Sequence, residues 1–265
     1  MYDSIVSLSW IFVKLADDIT KVRGPHIQRK QENNFNFENF KNIQGKDNNE
    51  TIQKLTKYAD LHLSLINFGS SRRVYELDND RVLKVAYNEA GIAQNFMEAK
   101  IQNDSEYFAD VYDMHPGALW IVAEKIGEID PNTFEVITGI SQSLMIRINQ
   151  NLDTRLGVVR ITPEIARELS HRFNIGQKGI KFLNDISKLR GKFDLIFGDT
   201  FNPKHWGINA DGKIKLYDFG LDSSVYDNFY HDNGFLRTDP TYGPNNPDQS
   251  KIDALKLMNS NTAVY

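Results

Sequence analysis

The chain of 265 residues contains no cysteine and no long apolar segment. The absence of cysteine excludes disulfides, cysteine-ligated zinc and a cysteine nucleophile. No apolar run reaches the roughly 18 residues that a membrane-spanning helix needs. The apolar run 5–13 also lacks the basic start and the small-residue cleavage pattern of a signal peptide. We therefore expect a cytoplasmic protein with no membrane partner.

Positive charge is not in excess either, since 31 lysines and arginines stand against 35 acidic residues, for a net charge of −4. A basic surface is the usual electrostatic signature of nucleic-acid binding, so we expect no nucleic-acid partner. With 40% hydrophobic and 25% charged residues, the composition is that of an ordinary globular protein. The length is sufficient for a substantial core in one domain or in two lobes.

The most informative segment is 215–220, a short strand of alternating apolar residues that runs into Asp-Phe-Gly at 218–220. An Asp at the end of a buried strand can present its carboxylate to a metal–phosphate group. Asp218 alone could equally cap a turn after a strand. The assignment of a functional role therefore depends on other parts of one site upstream.

Two such parts are Asp199 and His205, which precede a predicted β-hairpin. The apolar segments at 206–208 and 214–217 flank an Asp-Gly turn, and this pattern indicates a hairpin. Its start would carry Asp199 and His205, and its exit would carry Asp218. The sequence therefore brings three polar side chains to one end of the hairpin.

The N-terminal half contains a loop followed by two short predicted strands. Residues 67–74 fit the pattern G-x-G-x-x-G-x-V with only the middle glycine, Gly69, retained. A turn at 78–80 then leads into the strand 81–85, which contains Lys84. Lys84 stands between two apolar residues, so it faces away from them and could point outward instead of into a site.

A helix predicted for 89–102 follows, and Glu98 on this helix is the candidate ion-pair partner of Lys84. The apolar segment 119–126 comes next and has the pattern of a buried strand leading into a connecting segment. Ala123 lies near the end of that strand.

Together these motifs resemble the protein-kinase-like fold, over about residues 63–222. In that family a glycine-rich loop, a strand Lys, a helix Glu, a catalytic Asp, a Pro-x-Asn and an Asp-Phe-Gly occur in this order. The resemblance implies an α+β, two-lobed protein, with a small antiparallel β N-lobe and a reduced, mainly helical C-lobe. An N-terminal amphipathic helix would extend this fold, which is of the minimal kind found in bacteria and their phages.

The resemblance also implies a role for each matching residue, with ATP and Mg²⁺ as cofactors and Mn²⁺ as the alternative ion. The residues with an implied role in catalysis are Asp199, Lys84 and Glu98. Those implied to bind the nucleotide are Gly69, Ser70, Val74, Lys84, Glu124 and Ile126. Those implied to hold the metal are Asp218 and His205. The backbone of Glu124 and Ile126 would meet the adenine edge, and Ala123 would be the gatekeeper.

The chain departs from the family pattern at several positions. Asn67 and Arg72 replace two of the three loop glycines, and the Arg72 charge could meet phosphate directly. His205 stands thirteen residues before Asp218, where the family has an Asn, although Mg²⁺ prefers oxygen ligands. Phe197 and Gly198 replace the His-Arg before the catalytic Asp. These departures put activation-loop control and a second metal in doubt.

Three functions remain open at this stage. The first is transfer of the γ-phosphoryl group of ATP to a hydroxyl, most often on a protein. The second is a catalytically weak or inactive pseudokinase that serves as an interaction component of a larger assembly, such as a phage virion. The third is a small-molecule kinase, for which an acidic pocket in 130–160 would be needed. A protein partner would bind through the N-terminal helix or the aromatic tail.

The organisation along the chain is read as three parts. Residues 1–60 would form the amphipathic helix, at 5–22, and an Asn/Phe-rich extended arm at 30–50. Residues 61–125 would form the N-lobe, and residues 126–265 the C-lobe with an aromatic-rich tail. The apolar stripe of the 5–22 helix could pack on its own domain or on another subunit.

Further helices are predicted around the lobes. Residues 51–61 carry one apolar stripe, and Thr162-Pro163-Glu164 is a helix start. A helix from about 180 should stop at Gly191. The segment 142–160 has no clean period and yields no assignment. The tail should end in a short helix at 251–258.

Overall fold

The structure, a computed structural model, describes residues 35–152 and 163–231. This described part is α+β, with a five-stranded antiparallel sheet, a two-stranded hairpin and nine α-helices. The helices predicted at 5–22 and 251–258 and most of the aromatic tail lie outside it. Among the residues that are described, no helix has the length and apolar character needed to cross a membrane.

The large sheet has the strand order β1-β2-β3-β5-β4, and every neighbouring pair is antiparallel. Its strands are β1 (Ser64–Phe68), β2 (Arg72–Glu76), β3 (Arg81–Ala86), β4 (Val111–Met114) and β5 (Trp120–Glu124). The tight turn before β3 forms because the Asp78 carboxylate accepts hydrogen bonds from the backbone of Asp80 and Arg81. Residues 69–71 connect β1 to β2.

Two helices, α1 (Phe37–Lys41) and α2 (Asn48–His62), cover one face of this sheet. The segment predicted as an extended arm is therefore partly helical, because the Asn36 side chain caps α1 by accepting from Asn39. Phe40 in this segment is fully buried. The segment is not a free linker, because burial of its aromatic side chains holds it on the sheet.

The alternation of β3 explains how a lysine becomes buried. Leu83 and Val85 pack into the cluster under α1 and α2, whereas Val82 faces the other side with Ile121. Lys84 shares that second side by the two-residue period of a strand. It is only 5% exposed, because helix α3 (Glu89–Ile101) covers this side.

The remaining helices form the larger core of the protein. They are α4 (Pro131–Thr138), α5 (Gln142–Leu152), α6 (Pro163–Phe173), α7 (Gln177–Phe193), α8 (Phe197–Thr200) and α9 (Ser223–Tyr226), followed by one π-helical turn, Asp227–His231. Helix α6 begins at the predicted Pro163. Helix α5 occupies part of the segment for which the sequence yields no assignment.

Helix α7 differs from its predicted end. It continues through Gly191 to Phe193 and stops at Asp194, which adopts a left-handed conformation with φ of 53°. The Asp194 backbone N–H closes the helix by bonding to the Arg190 carbonyl. A glycine inside a helix weakens it by only about 1 kcal/mol, so Gly191 does not end the helix.

The predicted hairpin is present as β6 (Trp206–Ile208) and β7 (Ile214–Leu216). It is anchored at both ends to the segments that flank the large sheet. Gly127 and Ile208 exchange backbone hydrogen bonds of 2.9 and 3.0 Å, and Leu216 accepts one of 3.0 Å from Ala109. These bonds fix the position of the hairpin relative to the sheet. They therefore also fix the positions of the polar residues at the two ends of the hairpin.

Candidate functional site

A cavity of about 460 Å³ lies between the large sheet and the β6–β7 hairpin. This volume is in the range of small-molecule sites, about 300–1,000 Å³. The residues with a predicted role that line it are Gly69, Ser70, Val74, Lys84, Glu124, Ile126, Asp199, His205 and Asp218. Two residues with a predicted role, Glu98 and Ala123, are not part of the cavity wall. Glu98 contacts Lys84 on the side away from the cavity, and Ala123 is buried in the core.

The ion pair predicted between Lys84 and Glu98 is present and buried. The Lys84 ammonium donates at 2.6 Å to Glu98 Oε2 and at 2.6 Å to the backbone carbonyl of Tyr217. Burial lowers the pKa of Lys84, opposed by the Glu98 carboxylate and reinforced by the charge of Arg72. One ammonium thus links β3, α3 and the end of β7.

Arg72 joins the same network in a way that the sequence does not indicate. Its guanidinium contacts Glu98 Oε1 at 2.8 Å and Asp218 Oδ1 at 2.7 Å, and the side chain is 7% exposed. Burial disfavours the cationic form, but the two carboxylates outweigh this cost and raise the pKa of Arg72. Arg72 therefore bridges the helix carboxylate and the carboxylate at the hairpin exit.

Asp218 remains partly open to the cavity, with its side chain 43% exposed. Burial of its carboxyl favours the neutral form, yet the positive charges of Arg72 and Lys84 hold the pKa of Asp218 below its usual value. The carboxylate is accordingly ionised at neutral pH. Its Oδ1 atom faces Arg72, and its Oδ2 atom lies 4.0 Å from His205 Nε2.

His205 is held by two hydrogen bonds that define its neutral tautomer. The Asp199 carbonyl, 3.1 Å from Nδ1, can only accept, so Nδ1 carries the proton. Asn202 Oδ1 accepts from the Lys204 backbone, which directs the Asn202 amide nitrogen at His205 Nε2, 3.2 Å away. The Nε2 lone pair is therefore engaged by Asn202.

The loop between β1 and β2 is closed by an aromatic residue from the C-terminal segment. The Tyr230 hydroxyl lies 3.3 Å from Ser70 Oγ and accepts a 2.9 Å hydrogen bond from Gln94 on α3. Burial raises the pKa of Tyr230, so this phenol stays neutral. Tyr230 also lines the cavity beside Ser70.

Close packing positions the Asp-Phe-Gly segment against two elements. The Phe219 ring stacks on Phe108 with centroids 4.4 Å apart and planes 13° apart. A side chain at Gly220 would place a Cβ 2.5 Å from the Gln94 carbonyl oxygen on α3. Gly220 is therefore required by the close approach of α3. Both contacts fix the direction of Asp218.

The implied metal ligands are arranged differently from a magnesium site. Oδ1 of Asp218 already accepts from a guanidinium, and the Nε2 lone pair of His205 accepts from Asn202. Mg²⁺ prefers oxygen ligands in octahedral geometry, and a divalent ion at Asp218 would be repelled by Arg72. Within residues 35–152 and 163–231, no group of three His, Cys, Asp or Glu side chains is placed to hold a metal. The residues as they stand do not fit the ion.

Sequence reasoning missed several residues of the site. The sequence marks Arg72 as a departure from glycine but does not indicate its contacts with Glu98 and Asp218. Tyr230 and Gln94 carry no motif that would have revealed them. Asn202 had a usable signal, since it directly precedes Pro203 and lies close to the expected Pro-x-Asn.

Comparison with known proteins adds little to this geometry. No protein-family profile and no curated protein matches the chain. Among solved structures, SAICAR synthase from Saccharomyces cerevisiae, in complex with SAICAR, superposes with a TM-score of 0.28 and 14% identity over 59% of this chain and 73% of that one. A second SAICAR synthase gives a TM-score of 0.28 and 14% identity over 59% and 72%. Scores this low carry no argument, so the functional inference rests on the site.

Proposed function

We propose that this chain is a two-lobed, protein-kinase-like protein that binds ATP in the cavity between the sheet and the hairpin. The observation that carries the proposal is the buried pair of Lys84 and Glu98, of which Lys84 lines the same cavity as Asp199 and Asp218. Burying a charged pair is costly. Such a pair at the wall of a cavity is therefore a mark of a ligand site rather than of packing.

The geometry supports a definite placement of the nucleotide. The adenine would lie against Val74 and Val82, with its edge at the backbone of Glu124 and Ile126, and all four residues line the cavity. The Glu124 N–H already donates to the Asp110 carbonyl, so the carbonyl is the part of that residue left for adenine. The phosphates would then point toward Lys84.

Phosphoryl transfer would depend on Asp199. Asp199 lines the cavity, and its Oδ1 atom lies 3.8 Å from Nδ1 of His205. There it could accept the proton of a substrate hydroxyl as the γ-phosphoryl group is transferred. Lys84 would neutralise charge on the phosphates, and the buried Glu98 would hold Lys84 in place. The acceptor hydroxyl is proposed to lie on a protein.

Isothermal titration with ATP tests the binding step. Lys84→Met should weaken ATP binding by about tenfold or more, because it removes a charge-assisted contact to phosphate. Lys100→Met is the matched control, since Lys100 is exposed on the same helix as Glu98. Equal affinity in wild type and Lys84→Met, or no ATP binding by either, would reject the proposal.

A second candidate is a binding protein without turnover, working as part of an assembly such as a virion. The contact of Arg72 with Asp218 favours it, because this contact occupies the carboxylate that active kinases present to metal. Transfer of labelled phosphate from ATP separates the two functions. Turnover that is lost in Asp199→Asn with ATP binding retained supports the kinase. Binding with no turnover in the wild type supports the second candidate.

A further inference from the structure

The position of Arg72 suggests how phosphate is recognised in this cleft. Arg72 is the first residue of β2 and stands where the family pattern has its third loop glycine, a position where close backbone approach would favour glycine. Its guanidinium lines the cavity beside Lys84. A guanidinium offers five N–H donors in a planar fork that suits a phosphate. The chain therefore has a fixed organic cation at the point where its metal ligands were expected.

The partners of Arg72 show what a phosphate would replace. Glu98 is 1% exposed and stays shared between Arg72 and Lys84 on the side away from the cavity. Asp218, in contrast, is 43% exposed on the cavity side. An anion entering the cavity would therefore compete with Asp218 for the guanidinium and leave the ion pair with Glu98 in place.

We propose that the cleft binds the phosphate groups of its nucleotide through Arg72, which exchanges Asp218 for phosphate, and that no divalent ion at Asp218 is needed for this binding. The inference rests on the ATP-binding function proposed above. Asp218 is then the counter-ion that holds Arg72 in position before the nucleotide arrives. No covalent step is involved.

Competition between Asp218 and phosphate for Arg72 predicts the opposite effect of neutralising Asp218 from the one a metal-ligand role predicts. If Asp218 held a metal on the phosphates, its neutralisation would weaken ATP binding. If it competes with phosphate for Arg72, its neutralisation removes the competitor and strengthens ATP binding. Asp218→Asn keeps the shape of the side chain and therefore separates the two roles.

The experiment is isothermal titration of the full chain with ATP and with adenosine, each in magnesium and in chelator. We expect wild-type affinity for ATP to change by less than about threefold on chelation, which is under 1 kcal/mol. In chelator, Asp218→Asn should tighten ATP binding by about tenfold and Arg72→Gln should weaken it by about tenfold or more. Adenosine has no phosphate and should bind each variant alike.

The double variant Arg72→Gln/Asp218→Asn shows whether the two residues act as a pair, since the gain from Asp218→Asn should vanish without Arg72. Arg73→Gln is the matched control for loss of a cation, because the neighbouring Arg73 turns to the other side of β2 and pairs with Asp60. Thermal unfolding of each variant checks folding. If Arg72→Gln does not fold, the effect of Asp218→Asn in chelator still decides the question.

The outcomes separate this inference from the function on which it rests. Binding of ATP only in magnesium, abolished by Asp218→Asn, would overturn the inference and leave the ATP site intact. Absence of ATP binding in both conditions would overturn the proposed function and the inference together. Metal-independent binding that Arg72→Gln leaves unchanged would reject Arg72 as the phosphate contact.

Discussion

The hydroxyl of Tyr230 and the Oγ atom of Ser70 lie 3.3 Å apart, although 160 positions separate them in the sequence. This contact attaches the turn that follows α9 to the loop between β1 and β2. The side-chain amide of Gln94 donates to the same hydroxyl, and its Oε1 atom accepts a hydrogen bond from the Ser71 hydroxyl. The loop at the cavity mouth is therefore held from both α3 and the C-terminal segment.

Removing the Tyr230 hydroxyl should loosen that loop. Tyr230→Phe keeps the ring but loses the bonds to Ser70 and Gln94, so amide exchange over residues 67–71 should accelerate. The loss of stability should be about 1 kcal/mol. Hydrogen-exchange mass spectrometry measures the first effect and urea unfolding the second. Tyr112→Phe, at a tyrosine that is 52% exposed, is the control, and equal exchange in all three proteins would contradict the prediction.

The buried charges predict an order of destabilisation. Glu98 is the shared partner of Lys84 and Arg72, so Glu98→Gln leaves two buried cations without a full counter-charge. Lys84→Met leaves Glu98 still paired with Arg72. Breaking a buried pair costs about 3–5 kcal/mol, and we expect Glu98→Gln in this range and Lys84→Met below it. Urea unfolding checks the order, and the reverse order would show that Arg72 does not support Glu98.

The parts of the site that the sequence predicts are those with local signals. The turn 209–212 fixes the hairpin because Asp-Gly supplies the positive φ, 77° at Gly212, within the turn itself. Lys84 and Glu98 are fourteen residues apart on adjacent elements, so a family motif was enough to pair them. Their burial was not predictable, since it depends on α3 covering the sheet.

The parts that the sequence does not predict are those made by distant packing. The Arg72–Asp218 contact joins residues 146 positions apart, and no local pattern marks either as a partner. A motif comparison records Arg72 only as a missing glycine. The end of α7 is likewise not marked in the sequence, because the helix ends at Asp194 in a left-handed conformation. The sequence signal for a helix end lies earlier, at Gly191, and the helix continues through it.

The ion pair of Asp218 predicts a stability change with pH. The folded-state pKa of Asp218 is lowered, so its contribution is full above the unfolded value of about 3.9 and is lost as the pH falls through the lower folded value. Asp218→Asn should therefore be less stable than wild type at neutral pH, and this difference should shrink below about pH 4. The effect should be modest, because solvent screens a side chain that is 43% exposed.

Urea midpoints measured from neutral pH down to about pH 3 check this dependence. Asp211→Asn, on the exposed hairpin turn, removes the same charge far from Arg72 and serves as the control. A difference between wild type and Asp218→Asn that stays constant over the whole range would show that Arg72 does not stabilise the Asp218 carboxylate.

The close approach of α3 to the Asp-Phe-Gly segment predicts the effect of a single methyl group. In Gly220→Ala the new Cβ would lie 2.5 Å from the Gln94 carbonyl oxygen, whereas Gly176 has no atom within 4 Å of the same position. Overpacking of this kind costs about 1–3 kcal/mol. Because α3 carries Glu98, its displacement should also weaken ATP binding.

Gly176→Ala is the matched control, since Gly176 precedes α7 with a φ of −73° that alanine adopts without strain. Urea unfolding and ATP titration of both variants give the comparison. We expect Gly176→Ala to keep wild-type ATP affinity and to lose at most about 1 kcal/mol, because Gly176 is the N-cap of α7 and alanine is a poorer cap than glycine. Gly220→Ala should lose both stability and ATP affinity. Loss of stability in Gly220→Ala with unchanged ATP affinity would mean that α3 can move without disturbing the Lys84–Glu98 pair. In that case the position of α3 would not control the site.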